Sequence, residues 1–317
     1  MALLSVKNLH ASYASGDGRL RAVDGVSFDV AAGETVGLVG ESGCGKSTLG
    51  KALLRLVGAS SGGIVFDGKD VAGLSGAALA RYRRSVQMVF QDPFGSLNPR
   101  HTVAEILTGP LTVHRIGARR DRTERAAEML DRVGLPRDAL GRYPHEFSGG
   151  QRQRLGIARA LILKPRLVIC DEPVSALDLS IQAQILNLLA EMKVDLGLSY
   201  LFISHDLSVV RYFTDRVLVM YLGRIVESGS WESLWQRPLH PYTQALIEAV
   251  PNAARRRHAA PLAGDLPSAR NIPSGCRFHP RCPRATALCL VEEPMLRDAG
   301  GGQTVVCHHA DVAPATG

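Results

Sequence analysis

Gly40 to Thr48 read GESGCGKST, directly after the apolar run ETVGLV and directly before KSTLGKALLRLV, a stretch with helical spacing. The pattern G-x-x-x-x-G-K-[ST] between a strand and a helix is a phosphate-binding loop. Gly43 and Gly45 let successive backbone N–H groups curl toward an anion, and the N-terminus of the following helix adds partial positive charge. Lys46 is expected to reach the β- and γ-phosphates and the Ser47 hydroxyl to ligate Mg²⁺, with Gly40, Ser42 and Thr48 completing the contacts. A strand that feeds such a loop belongs to an α/β fold.

The rest of the chain fits that core. Strand signals precede the loop in LLSVKNL and AVDGVSFDV and follow it in GGIVFDG and SVQMVFQD. Over about 93–163 the pattern turns helical, with RTERAAEMLDRVG ending in a glycine stop and GQRQRLGIARALIL carrying one apolar face. Strands return in RLVICDEP, SYLFISHD and DRVLVMYLGRIVESG, separated by helical stretches. The reading is an α/β nucleotide-binding domain over 1–250, interrupted by a helical subdomain. A change to Ala, Arg and Pro over 251–273 reads as a linker into a C-terminal extension ending at 317.

RLVICDEP supplies the second half of an active centre. Its four apolar residues read as a buried parallel strand, so Asp171 and Glu172 emerge at the C-terminal end, where α/β folds place their ligands. Asp171 suits the shell of a Mg²⁺ ion and Glu172 suits a general base that polarises an attacking water.

Composition narrows the function classes. Of 317 residues, 45% are hydrophobic and 21% charged, as in an ordinary globular protein. The net charge of +7 invites a nucleic-acid partner. The arginines are scattered, however, and no aromatic residues are interleaved with them as a stacking platform requires, so no nucleic-acid partner is expected. The N-terminus lacks the basic and apolar regions of a signal peptide, and no run approaches the ~20 apolar residues of a membrane helix. The expectation is a cytoplasmic protein, in a compartment that disfavours disulfides.

EFSGGQRQRLGIARAL places Ser148, Gly149, Gly150 and Gln151 at the start of a helix, a second small-residue surface for phosphate. One chain has little use for two such surfaces on one phosphate, unless the second completes a neighbour's site. Here the sequence resembles the ATP-binding-cassette (ABC) ATPases, and over roughly residues 1–240 their motifs recur in order. The fold this implies is a P-loop NTPase core with an N-terminal antiparallel β subdomain and an inserted helical subdomain. The resemblance implies a dimer that sandwiches ATP between the phosphate loop of one subunit and the Ser-Gly-Gly-Gln loop of the other. It implies that Tyr13 stacks on adenine, that Gln91 in VFQDPFGSLNPR reaches Mg²⁺ and water and senses a membrane partner, that Asp178 in SALD lies in a dimer-contacting loop, and that His205 in FISHD contacts the γ-phosphate. The family's usual leucine before Ser148 is Phe147 here, a departure expected to be tolerated because that side chain faces neighbouring packing.

Longer stretches, among them QDPFGSLNPR, CDEPVSALDLSIQAQ, PLHPYTQAL and GCRFHPRCP, resemble the ATPase subunits of oligopeptide and dipeptide importers, in particular the F-type subunit. This implies work at the cytoplasmic face of the membrane beside a D-type ATPase subunit, two membrane permeases and an extracytoplasmic solute-binding protein. Peptide is the expected solute. Nickel or another small solute remains open, and a soluble ABC ATPase acting on nucleic acid or ribosomes is the reading from a different class.

Cys276, Cys282, Cys289 and Cys307 form a separate group in the extension. Their spacing lacks the close pairs of most structural zinc sites, and Pro280, Pro283 and Pro294 impose loops. Four thiolates are what a [4Fe–4S] cluster takes, and the importer resemblance implies such a cluster. Zinc, with His279, His308 or His309 as substitute ligands, and no metal at all are the alternatives that spacing leaves open.

Overall fold

Thr35–Val39, Leu167–Asp171 and Ser199–Ser204 are buried at every position, the signature of parallel strands covered on both faces. They belong to a computed structural model that describes residues 2–15, 18–250 and 264–311. Of the expected linker over 251–273, residues 251–263 lie outside the described residues. The chain divides into two compact units.

One unit comprises residues 31–34 and 70–201. Val86–Val89 pairs in parallel with Leu167–Asp171, from Val86 opposite Leu167 to Val89 opposite Cys170. The helices Val103–Val113, Arg119–Arg132 and Gly149–Leu161 bury Leu107, Leu111, Leu130 and Leu155 among them. Each fully buried leucine contributes about 1.5–3 kcal/mol. Thr102 starts the first helix with a capping box closed by Glu105. Arg119–Arg132 buries only Ala126, Ala127, Met129 and Leu130, and Gly134, at φ +70°, follows it, as the glycine stop in the sequence requires.

The other unit comprises residues 2–30, 35–69 and 202–317. Ala2–Ser15 lies between Gly18–Ala31 and Ala59–Phe66, pairing with the latter in antiparallel register from Leu4 opposite Phe66. Thr35–Val39 runs parallel to Arg216–Tyr221, with Val36 opposite Arg216. Asp215 fixes that register at both ends of one contact: its carboxylate accepts from Thr35 N at 2.7 Å and its own amide donates to Thr35 O at 2.9 Å. Arg224–Ser230 continues the sheet antiparallel.

The extension adds strands that the sequence reading missed. Leu296–Gly300 and Gln303–Val306 form an antiparallel hairpin whose second strand pairs with Arg224–Ser230, Glu227 opposite Val305. Glu227 is wholly buried where they meet and accepts from Leu239 N at 2.8 Å, His240 N at 2.9 Å and Gln303 Nε2 at 2.8 Å. Burial pushes its carboxyl above the usual range. A buried carboxylate is tolerated only when so fully bonded. Among the described residues no helix is long and apolar enough to cross a membrane.

Candidate functional site

The phosphate loop connects the Thr35–Val39 strand to the helix Lys46–Leu53. Gly45 caps that helix in the left-handed region at φ +112°, and a Cβ there would run into Ala22 O. No other residue fits, because the loop must pass this close to a neighbouring backbone. Lys46 is 4% exposed; its ammonium donates to Gly40 O at 2.7 Å and Glu41 O at 2.9 Å, spanning its own loop. The first turn holds no acidic residue, so nothing there opposes an anion. Cys44 lies buried inside the loop, its thiol pushed up by burial. Tyr13, half-buried near the end of its strand, donates from its hydroxyl to Thr48 Oγ1 at 3.4 Å. The structure therefore brings Tyr13 to the start of the phosphate-loop helix.

The Ser-His-Asp stretch that follows Ser199–Ser204 belongs to the same unit. His205 is exposed just past the strand end, and Asp206 caps the next helix by accepting from Ser208 N at 2.7 Å.

In the other unit the acidic pair stands as expected at the end of its strand. Asp171 is buried and Glu172 half-buried. Glu172 adopts φ +47°, a left-handed conformation that costs a non-glycine residue on the order of 1 kcal/mol. Its carboxylate accepts from Gln91 Nε2 at 3.0 Å. Two residues 81 positions apart are thus joined at one point.

Ser148 caps Gly149–Leu161: its hydroxyl accepts from Gln151 N at 3.3 Å, and Gln151 Oε1 accepts from Ser148 N at 3.0 Å. Asp178 caps Leu179–Leu196 by accepting from Ile181 N at 2.9 Å. The two caps are packed together, since a Cβ on Gly150 would sit 2.6 Å from Ile181 Cγ2. Gly150 is therefore needed for helix packing as well as for any phosphate contact. Phe147 is buried, in keeping with its expected packing role.

The four extension cysteines lie within one stretch of chain. Cys289 and Cys307 are buried, Cys276 and Cys282 half-buried, and none forms a disulfide. Cys276 N donates to Cys289 O at 2.9 Å, and Cys289 Sγ lies 3.4 Å from His309 Nε2. Burial pushes the Cys276 thiol up to about 11 and raises Cys282 and Cys307 as well, the neighbouring cysteines adding to the effect. The thiols feel one another electrostatically, yet among the described residues no group of three or more His, Cys, Asp or Glu side chains is set to hold a metal ion. Donor chemistry fits a four-thiolate centre; the arrangement of the sulfurs in this structure does not.

Sequence reasoning missed the arginines between those cysteines. Arg277, buried, donates to Leu222 O and pairs with Asp24, which His10 also contacts at 2.8 Å. Burial raises the Asp24 carboxyl, but Arg277, His10 and Arg224 together hold it below its ordinary value. Arg281 forms a two-pronged pair with Glu41 of the phosphate loop. Two arginines inside CRFHPRC, in a segment with no acidic residue of its own, were the signal that partners lie elsewhere in the chain.

Comparison with known proteins gives concordant matches. Residues 23–175 match the family described as ABC transporter, and residues 226–289 match the oligopeptide/dipeptide transporter C-terminal region. A putative peptide import ATP-binding protein of Brucella ovis is 53% identical over 307 residues, covering 96% of this chain and 97% of the relative. The oligopeptide transport ATP-binding protein AppF of Bacillus subtilis is 53% identical over 296 residues, covering 92% and 90%. Among solved structures, the dimeric post-hydrolysis state of the ATP-binding cassette MJ0796 bound to ADP and Pi is 30% identical, with a TM-score of 0.66, covering 72% of this chain and 98% of that one.

Proposed function

The chain belongs to the ABC transporter family of ATP-binding proteins, and on that premise we propose that it is the ATP-hydrolysing subunit of an importer carrying di- and oligopeptides through partner membrane permeases. The observation that carries the solute class is the match of residues 226–289, beyond the nucleotide motifs, to the oligopeptide/dipeptide transporter C-terminal region. The subunit works at the cytoplasmic face of the membrane, paired with a D-type ATPase, docked on two permeases and served by an extracytoplasmic solute-binding protein.

Each residue's role follows from its chemistry. Glu172 is the general base: its carboxylate, held by Gln91, takes a proton from the attacking water. Lys46 leaves its loop carbonyls for the phosphates, and Tyr13 presents its ring to adenine. Ser148, Gly149, Gly150 and Gln151 offer a helix N-terminus to the γ-phosphate of a neighbouring subunit's ATP, with Asp178 beside them in the dimer-contacting loop. His205 contacts the γ-phosphate of its own ATP. Ser47, Gln91 and Asp171 are assigned to Mg²⁺, and a buried carboxylate such as Asp171 suits a hard divalent cation. When bound, Mg²⁺ neutralises charge on the phosphates.

The [4Fe–4S] assignment to Cys276, Cys282, Cys289 and Cys307 rests on donor chemistry alone: four free thiols in the extension, the ligand number such a cluster takes. Protein purified without oxygen is expected to carry roughly four irons and four sulfides per chain. Zinc, or no metal, overturns it.

Uptake in the native cell tests the solute. Deleting the gene is expected to abolish accumulation of labelled di- and oligopeptides while leaving nickel uptake intact. Peptide uptake that persists while nickel uptake falls overturns the peptide reading.

A further inference from the structure

Residues 276–282, CRFHPRC, fasten two parts of one unit. Phe278 is 1% exposed, its ring 5.2 Å from Tyr221, 5.5 Å from Tyr242 and 5.5 Å from His240. With Phe278 anchored and Arg277 bound to Asp24 and Leu222 O, the segment is held before Arg281 reaches its partner.

That partner is Glu41, second residue of the phosphate loop. Arg281 Nη1 donates to Glu41 Oε2 at 2.7 Å and Nη2 to Oε1 at 3.0 Å, with side-chain exposures of 4% and 28%. Such a planar, paired contact is one that arginine makes and lysine does not. The Glu41 amide donates to the hydroxyl of Tyr242 at 2.8 Å, and its carbonyl accepts from Lys46. Every polar group of Glu41 is therefore held: the carboxylate and amide by residues C-terminal to 240, the carbonyl by the residue that binds phosphate.

A carboxylate in a loop built to hold a triphosphate repels its ligand unless it is neutralised, and partial burial strengthens that repulsion. We propose that Arg281 is a positioning residue of the nucleotide site, which fixes the phosphate loop through Glu41 and cancels the carboxylate's charge beside the triphosphate. The extension then supplies a working part of the ATP site. This rests on the reading of Gly40–Thr48 as the ATP loop.

Binding of a fluorescent ATP analogue with Mg²⁺ to the full-length chain tests it, with melting temperature followed in parallel. Arg281→Met is expected to weaken binding about tenfold, as loss of one member of a partly buried charge pair does. Adding Glu41→Gln to Arg281→Met is expected to restore affinity to within about threefold of wild type, because the unpaired carboxylate is gone. Arg281→Lys keeps the charge and the stem and is expected to lose only about threefold. A purely structural role predicts a lower melting temperature without this rescue. Arg281→Met binding within about twofold of wild type overturns the proposal, as does a double variant as weak as the single. Lys46→Ala separates the layers: if it binds as wild type does, the ATP-loop reading falls and takes this proposal with it. If it loses binding while Arg281→Met does not, only the role of Arg281 falls.

Discussion

Glu172 combines a strained backbone with a carboxylate that accepts from the Gln91 amide, and that combination fits a group whose orientation matters more than its contribution to stability. Glu172→Gln keeps the shape and removes the base. It is expected to leave ATP binding intact and to reduce hydrolysis by the assembled transporter about 10²–10⁴-fold. Hydrolysis at the wild-type rate in that variant would remove Glu172 from the role. At Gly45 the expected defect is architectural: Gly45→Ala must enter a left-handed conformation and displace Ala22 O, so loss of nucleotide binding should accompany a melting-temperature drop. Both residues were legible in the sequence because short spacing rules tie their chemistry to adjacent positions. Glu41 was not, because its meaning depends on Arg281, and one sequence carries no signal for which distant arginine finds which acid.

Helix caps carry much of the element-scale logic. Ser148 and Asp178 each begin a helix by accepting a backbone N–H, so their side chains have structural work beside any contact with phosphate or a second subunit. Substitution can separate the two roles. Ser148→Ala is expected to cost about 1 kcal/mol of stability as the cap is lost, together with transporter ATPase. Ser148→Asp keeps a capping oxygen but sets a negative charge toward a phosphate, so stability should return to near wild type while ATPase stays low. Urea titration of the isolated chain and ATPase of the assembled transporter read these separately, and recovered activity in Ser148→Asp would reduce Ser148 to a cap. The helices were readable from spacing, caps and glycine stops. The Leu296–Gly300 and Gln303–Val306 hairpin was not, because LRDAG and QTVV are too short and too mixed to show a two-residue period.

At the scale of the whole molecule, His240 ties stability to pH. It is buried, its Nδ1 accepts from Tyr242 N at 3.0 Å, its ring packs on Phe278, and Glu227 accepts from its amide. Burial lowers its pKa to about 3, so the folded protein keeps the imidazole neutral while the unfolded chain protonates it near 6.5. Stability from this group is full above pH 6.5 and falls by about 1.4 kcal/mol per pH unit as pH drops toward 3. Glu227, raised by burial, acts with the opposite sign above its ordinary carboxylate value. A comparison that changes only His240 isolates its share. His240→Asn retains a capping acceptor and removes the titration, so its urea-unfolding free energy should fall between pH 7 and 5 by about 2 kcal/mol less than wild type. Equal falls in the two proteins would contradict a buried neutral imidazole. The ion pair between Glu41 and Arg281 has a temporal consequence. Its partners are 240 residues apart, so on the ribosome the loop emerges long before the arginine that neutralises it. At typical elongation rates the interval is on the order of 10–50 s. Throughout it the nascent loop lacks the guanidinium that pairs with Glu41 in the folded chain.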